Sequence, residues 1–151
     1  MIKIVCVGKI KEKYFHDAVN EYLKRVSKYT NIDVIELVDE GIHDIKVVVK
    51  KEKDKILKSV DLKSYIILLD REGTQLTSID FSKKLESSLI HHSNITFIIG
   101  GSYGVDDEVK DIANEIISFS KMTFPHQLFR VLLLEQIYRS YKIMNNETYH
   151  K

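Results

Sequence analysis

Apolar positions recur along the chain in two alternating rhythms. Ile2 to Val7 is a continuous, largely β-branched run closed by Gly8, and Ile32 to Val38, Tyr65 to Leu69 and Asn94 to Ile99 are further short runs rich in such residues. They predict strands, the first of them buried. Between them the spacing lengthens. Phe15, Ala18, Val19, Tyr22, Leu23 and Val26 stand at helical intervals and predict an amphipathic helix over 14–28. A narrower stripe through Ile45, Val48, Val49, Ile56 and Leu57 predicts a second helix from His43 to Val60, with a wide lysine-rich face in solvent. Ile79, Leu85, Leu89 and Ile90 predict a third over 78–92. A short acidic helix over 105–115, a weak strand over 116–120 and a long helix over 126–144 follow. The tetrapeptide Asp70-Arg71-Glu72-Gly73 reads as the turn that stops the third strand.

Strand and helix alternate throughout, which predicts a single α/β domain over 1–151 with a mostly parallel sheet and helices on both faces. In such sheets ligands bind at the carboxyl ends of the strands, beside a topological switch point. That edge holds the loops after Val7, Leu69, Ile99 and Ser120. The helix over 126–144 is more apolar than one sheet face requires, above all from Leu128 to Leu134. Two readings explain it: a homodimer built on this helix, with Leu133 on its outward face, or a helix buried in the core.

Composition narrows the class. With 151 residues, 44% hydrophobic, 30% charged and one proline, the chain reads as an ordinary globular domain and not a disordered one. The single cysteine, Cys6, excludes an intramolecular disulfide and reads as a buried thiol. Neither a signal peptide nor a membrane span is expected, so a cytoplasmic location is. The net charge of +1 is unevenly spread: basic residues exceed acidic ones over 1–64 and 118–151, and the reverse holds over 65–117. Were the chain ends to meet, Lys9, Lys11, Lys13, Arg130, Arg139, Lys142 and Lys151 would form a surface attractive to phosphates; scattered solvated lysines are the plainer reading.

Two segments could carry chemistry. Gly100-Gly101-Ser102-Tyr103-Gly104 joins a strand to a helix, where glycines let a ligand approach the backbone or merely form a tight turn. It lacks the third glycine of a dinucleotide fingerprint and the Gly-Lys of a P-loop, and Asp106, Asp107 and Glu108 follow it. A nucleoside without phosphates suits it better. In Phe119 to His126, Pro125 is expected at the first helical position with Phe124 as N-cap, which leaves amide donors to be satisfied by a ligand, or locally by the Thr123 hydroxyl. Histidines 16, 43, 91 and 92 show no metal-ligand spacing, and no metal is expected. Tyr149-His150-Lys151 is aromatic, titratable and cationic, although a terminal segment is by default disordered.

Val7-Gly8-Lys9, Leu69-Asp70-x-x-Gly73, Phe97-Ile98-Ile99-Gly100-Gly101-x-x-Gly104, Ser120-x-x-Thr123-x-Pro125-His126, Arg130 and Tyr149-His150-Lys151 together resemble the RlmH family. These are SPOUT-class methyltransferases that modify N3 of a pseudouridine in large-subunit (23S) ribosomal RNA. The resemblance covers essentially the whole chain. It implies a trefoil-knotted homodimer acting on 23S rRNA, with S-adenosylmethionine held by Leu69, Gly100 and the stretch Phe119, Ser120, Lys121, Met122, Thr123 and Phe124. It further implies that His150 handles the N3 proton, Tyr149 stacks on or orients the base, and Arg130 holds a phosphate or the uracil oxygens. Alternatively, N3 ionises unaided and the tail only closes the site. Phe119 stands where many members carry leucine, and the stretch between Gly41 and Lys50 is short for the family. Two rivals stay open: a catalytically silent dimeric RNA-binding module and a nucleotide-dependent oxidoreductase.

Overall fold

The computed structural model describes residues 1–41 and 44–151. Ten elements follow in strict alternation: β1 Ile2–Val7, α1 Lys13–Val26, β2 Ile32–Leu37, α2 Ile45–Ser59, β3 Tyr65–Gln75, α3 Ser78–His91, β4 Ile95–Ile99, α4 Asp107–Ile112, β5 Glu115–Ser118 and α5 His126–Met144. The strands are all parallel, in the order β2-β1-β4-β3-β5. Every residue of β4 and all but one of β1 are buried, as parallel strands with helices on both sides must be. On one face α1, α3 and α5 pack over Ile4, Phe97 and Ile117. On the other, α2 and α4 cover Val5, Leu68 and Ile98. Cys6 lies in the first core, its thiol pushed up to about 11 by burial; as a thiol rather than a thiolate it is inert.

The charged tetrapeptide after Leu69 does not end β3. Leu69 pairs with Ile117 of β5, residues 70–73 bulge outward, and Thr74 pairs with Ile117 again before Gln75 meets Ser118. The local turn chemistry is overridden because β5 offers an edge on which the chain resumes pairing. Gly73 permits the crossing: a side chain there would start 2.7 Å from the backbone of Ile116 and Ile117.

Helix starts follow their caps. Asp44, Thr77 and Asp106 each accept a hydrogen bond from an amide of the first turn of α2, α3 and α4. The expected start of α2 at His43 lies outside the described residues. Pro125, expected inside α5, occupies the cap position instead, with an extended ψ of 134° and no side-chain cap bond. Thr123 does not fill that gap, since its hydroxyl accepts from the Arg71 guanidinium at 3.0 Å. Leu133 is fully buried in the core of its own chain, so it is not on an outward face; a substitution there would unfold the core rather than probe an interface.

Candidate active site

The loops after β3, β4 and β5 converge at the carboxyl ends of their strands around one cavity of about 580 Å³, within the range of small-ligand sites. Leu69 and Ile99 close it at the strand ends. Gly100, Gly101 and Gly104 form one wall, and Ser120 with Met122 to Phe124 the other. His126 and Phe129 enter from the start of α5. The loop after β1 does not line it but supports it from behind. Gly8, at φ +96°, leaves room for the His126 ring, whose Nε2 would lie 2.8 Å from a side chain there.

The β5–α5 loop is braced from within. Ser118 donates to the carbonyl of Ser120 at 3.0 Å, the amide of Met122 donates to the Ser120 hydroxyl at 2.9 Å, and Arg71 bridges to Thr123. Phe119 meets Phe81 edge-on at 5.8 Å and leans on Phe129 at 5.0 Å, so any bulky apolar group suits its place. The His126 imidazole is held below its usual range, first by burial and then by the neighbouring Arg130 guanidinium. It is therefore neutral near pH 7.

The cavity suits a nucleoside carrying no phosphates. Its walls combine apolar side chains and bare glycine backbone with Asp70 and the hydroxyls of Ser102, Ser120 and Thr123, and among the described residues Arg71 is its one cationic side chain at neutral pH. A pyrophosphate would need more donors than that. Of the residues expected to hold the cofactor, Leu69, Gly100, Phe119, Ser120, Met122, Thr123 and Phe124 all line the cavity, whereas Lys121 is exposed and stands outside its lining. His126, Phe129 and Arg71 were not singled out from the sequence. His126 had a signal in the Thr-x-Pro-His string; Arg71 reads only as part of a charged turn.

The expected catalytic residues are dispersed. Arg130 is fully buried, and its guanidinium donates to Glu36 at 2.7 Å and to the carbonyl of Gly8 at 2.8 Å. It stands outside the lining of the cavity and ties β1 and β2 to α5. The tail is ordered against α5. Tyr149 donates to Glu135 at 3.0 Å, packs edge-on against Tyr138 at 4.9 Å and lies beneath the Arg139 guanidinium at 4.7 Å. Burial first, and then the bond to Glu135, push its phenol up to about 12. His150 is exposed, with Nδ1 3.0 Å from an Arg139 nitrogen. Arginine only donates, so Nδ1 accepts and the ring proton lies on Nε2. Glu135 also accepts twice from Arg139, making Glu135 and Arg139 the frame of the tail; from the sequence Arg139 reads only as part of a basic surface, and nothing marks Glu135. Glu135 lies six residues past Phe129, roughly 9 Å further along the helix, and no residue of the tail lines the cavity of its own chain.

Among the described residues no three His, Cys, Asp or Glu side chains converge as a metal site, and no helix is long and apolar enough to cross a membrane.

The chain also matches known proteins. Over residues 1–150 the chain matches the family described as "Predicted SPOUT methyltransferase", and it belongs to that family of methyl-transferring enzymes. Its relatives include proteins named ribosomal RNA large subunit methyltransferase H. The one from Caldicellulosiruptor saccharolyticus is 47% identical across the whole of both chains, and those from Ruminiclostridium cellulolyticum and Clostridium tetani are each 51% identical over 99% of both chains.

Proposed function

We propose that the chain is a cytoplasmic homodimer that methylates N3 of a pseudouridine in 23S ribosomal RNA within the ribosome, using S-adenosylmethionine bound in the cavity between the glycine loop and the Ser120–Phe124 loop. The observation that carries this reading is the cavity itself: apolar walls for a purine, backbone groups free of side chains for hydrogen bonding, and no phosphate cradle. The relatives' name supports the choice of ribosomal RNA as substrate. S-adenosylmethionine supplies an electrophilic methyl group on a sulfonium.

The residues of the chain do the rest by positioning and exclusion of water. Leu69, Ile99 and Phe119 form a dry wall, and the Arg71–Thr123 bond fixes the rim. The tail brings His150 with Nε2–H facing outward, a donor suited to a uracil carbonyl as N3 loses its proton; an acceptor role would require Arg139 to release Nδ1 first. Tyr149 offers a ring for stacking. Because no tail residue lines the cavity of its own chain, pairing of two chains would let the tail of one face the cavity of the other. Leu128, Leu132 and Ile143 support that pairing: they are half-buried, yet absent from the residues packed on the core, and lie along one side of α5. A knot is part of the same reading, supported by the close crossing of Gly73 over β5.

The test is methylation by the purified protein of ribosomes lacking the modification, with the product nucleoside identified by mass spectrometry. N3-methylpseudouridine is the expected product. Methylation of uridine instead, or binding of NAD in place of S-adenosylmethionine, overturns the assignment.

A further inference from the structure

Behind the glycine loop lies a carboxylate that none of the contacts above uses. Glu52, in the middle of α2, is only 5% exposed, and its Oε1 has no hydrogen-bond partner among the described residues. Its Oε2 accepts one long bond from the amide of Glu40, at 3.4 Å. The carboxylate abuts Gly101: a side chain on that glycine would begin 2.7 Å from Oε1 and 3.1 Å from Oε2. Gly101 in turn lines the cavity. One thickness of backbone therefore separates the negative charge from the ligand space.

Among the described residues no cation pairs with Glu52. The nearby lysines on its own helix are committed elsewhere, Lys55 to Glu40 at 2.7 Å and Lys53 to Glu108 and Asp54. The connection before α2 adds Asp39 and Glu40, both acidic, and the Gly100–Gly104 loop has no charged side chain. Burial raises the carboxyl above its usual range; the bond from the Glu40 amide and the Lys55 charge pull it back, and Asp39 and the Glu40 carboxylate add to the rise. A buried, unpaired carboxylate costs stability unless a positive charge answers it. Coulomb interactions fall only as the inverse of distance and do not need contact.

We infer that Glu52 is a specificity-determining residue that acts through the Gly101 backbone, making the cavity prefer a positively charged methyl donor to its neutral demethylated product. This rests on the reading of the cavity as the site of S-adenosylmethionine. That molecule carries a sulfonium, an ammonium and a carboxylate, a net positive charge; loss of the methyl group leaves a thioether and a neutral molecule. The donor answers the buried charge and the product does not, so each transfer weakens the hold on what remains.

Calorimetric titration of the full chain with S-adenosylmethionine and with S-adenosylhomocysteine tests this, in the wild type, Glu52→Gln and Glu52→Leu. The wild type binds the donor more tightly than the product. Both variants lose donor affinity by roughly fifteen- to fifty-fold, the span expected for unit charges about 7–10 Å apart at an effective dielectric of about 20, and keep product affinity within about twofold. Equal weakening of both ligands would mean that Glu52 merely supports the loop, and overturns the inference, as does unchanged affinity for both. A wild type that binds the product as tightly as the donor overturns it without recourse to any variant. If the wild type binds neither ligand, the donor reading itself fails and takes the inference with it.

Discussion

The Arg130 guanidinium reaches Glu36 at 2.7 Å across 94 positions of sequence and donates in the same plane of action to the carbonyl of Gly8. One side chain of α5 thereby fastens the ends of β1 and β2. Arg130→Met leaves both acceptors unanswered and should cost roughly 2–3 kcal/mol, less than the 3–5 of a fully buried pair because the Glu36 side chain is 35% exposed. Thermal unfolding measures this. An unaltered melting temperature with a selective rise in the KM for RNA would return Arg130 to a substrate-binding role.

The glycine loop gives a second expectation. A Cβ on Gly100 would overlap the side chain of Val105, which also lines the cavity. Gly100 is not in the left-handed region, so the obstacle is space rather than backbone conformation. Gly100→Ala should weaken S-adenosylmethionine binding about tenfold, and adding Val105→Ala should recover most of it, a coupling that a double-mutant cycle reads directly. Equal affinity in all three proteins removes the loop from the binding site.

An interface built on α5 is probed at Leu132, not at the buried Leu133. Leu132→Glu should leave the far-ultraviolet circular dichroism unchanged, shift the sedimenting species from dimer to monomer, and abolish methylation. A wild type that sediments as a monomer at micromolar concentration removes the dimer from the mechanism.

The tail separates binding from turnover. Deleting residues 149–151 should leave S-adenosylmethionine affinity within about twofold yet lower ribosome methylation at least about tenfold, the low end for one positioned acid–base group. His150→Ala should account for most of the loss, and higher pH should partly restore the rate by ionising N3. A silent His150→Ala beside an impaired deletion assigns the effect to Tyr149.

Glu52 also makes a stability prediction. Its folded-state carboxyl is raised by burial, so its protonated form favours the native state below the unfolded value of about 4.3, and that advantage is lost as pH rises through the folded value. Without ligand at neutral pH, Glu52→Gln should therefore be more stable than the wild type by about 1–3 kcal/mol, with the gap closing toward pH 4. Melting curves at pH 4.5 and 7.5 provide the check, and a destabilised variant at pH 7.5 contradicts the expectation.

Much of the scaffold was readable from periodicity, including the full extent of α5 and the β1 run from Ile2 to Val7. The departures share a cause: they depend on partners distant in sequence. Asp70 to Gly73 has turn chemistry, and only the presence of β5 shows that the strand resumes. Glu52 sits within Lys50-Lys51-Glu52-Lys53-Asp54-Lys55, a string that reads as solvated surface, and its burial follows from where the glycine loop docks. Leu132 and Leu133 are chemically identical neighbours on an apolar helix; which one faces the sheet depends on a rotation that composition does not specify. The cavity loops were legible because strand–helix alternation already put the loops after Leu69, Ile99 and Ser120 at the carboxyl edge of the sheet, and the Arg130 contacts were not, because a motif records a residue and not its direction.

The cavity draws its walls from positions as far apart as Leu69 and Phe129, and the last wall is anchored by a helix that packs on both α1 and α3. The stretch from Leu69 to Pro125 supplies every wall but one, and His126 and Phe129 of α5 complete it. A nascent chain leaving the exit tunnel thus lacks the complete cavity until α5 docks, in the same event that completes the native protein. Ligand present during refolding cannot template the early steps; it can only trap the finished molecule, slowing its unfolding while leaving the folding limb of the chevron unchanged.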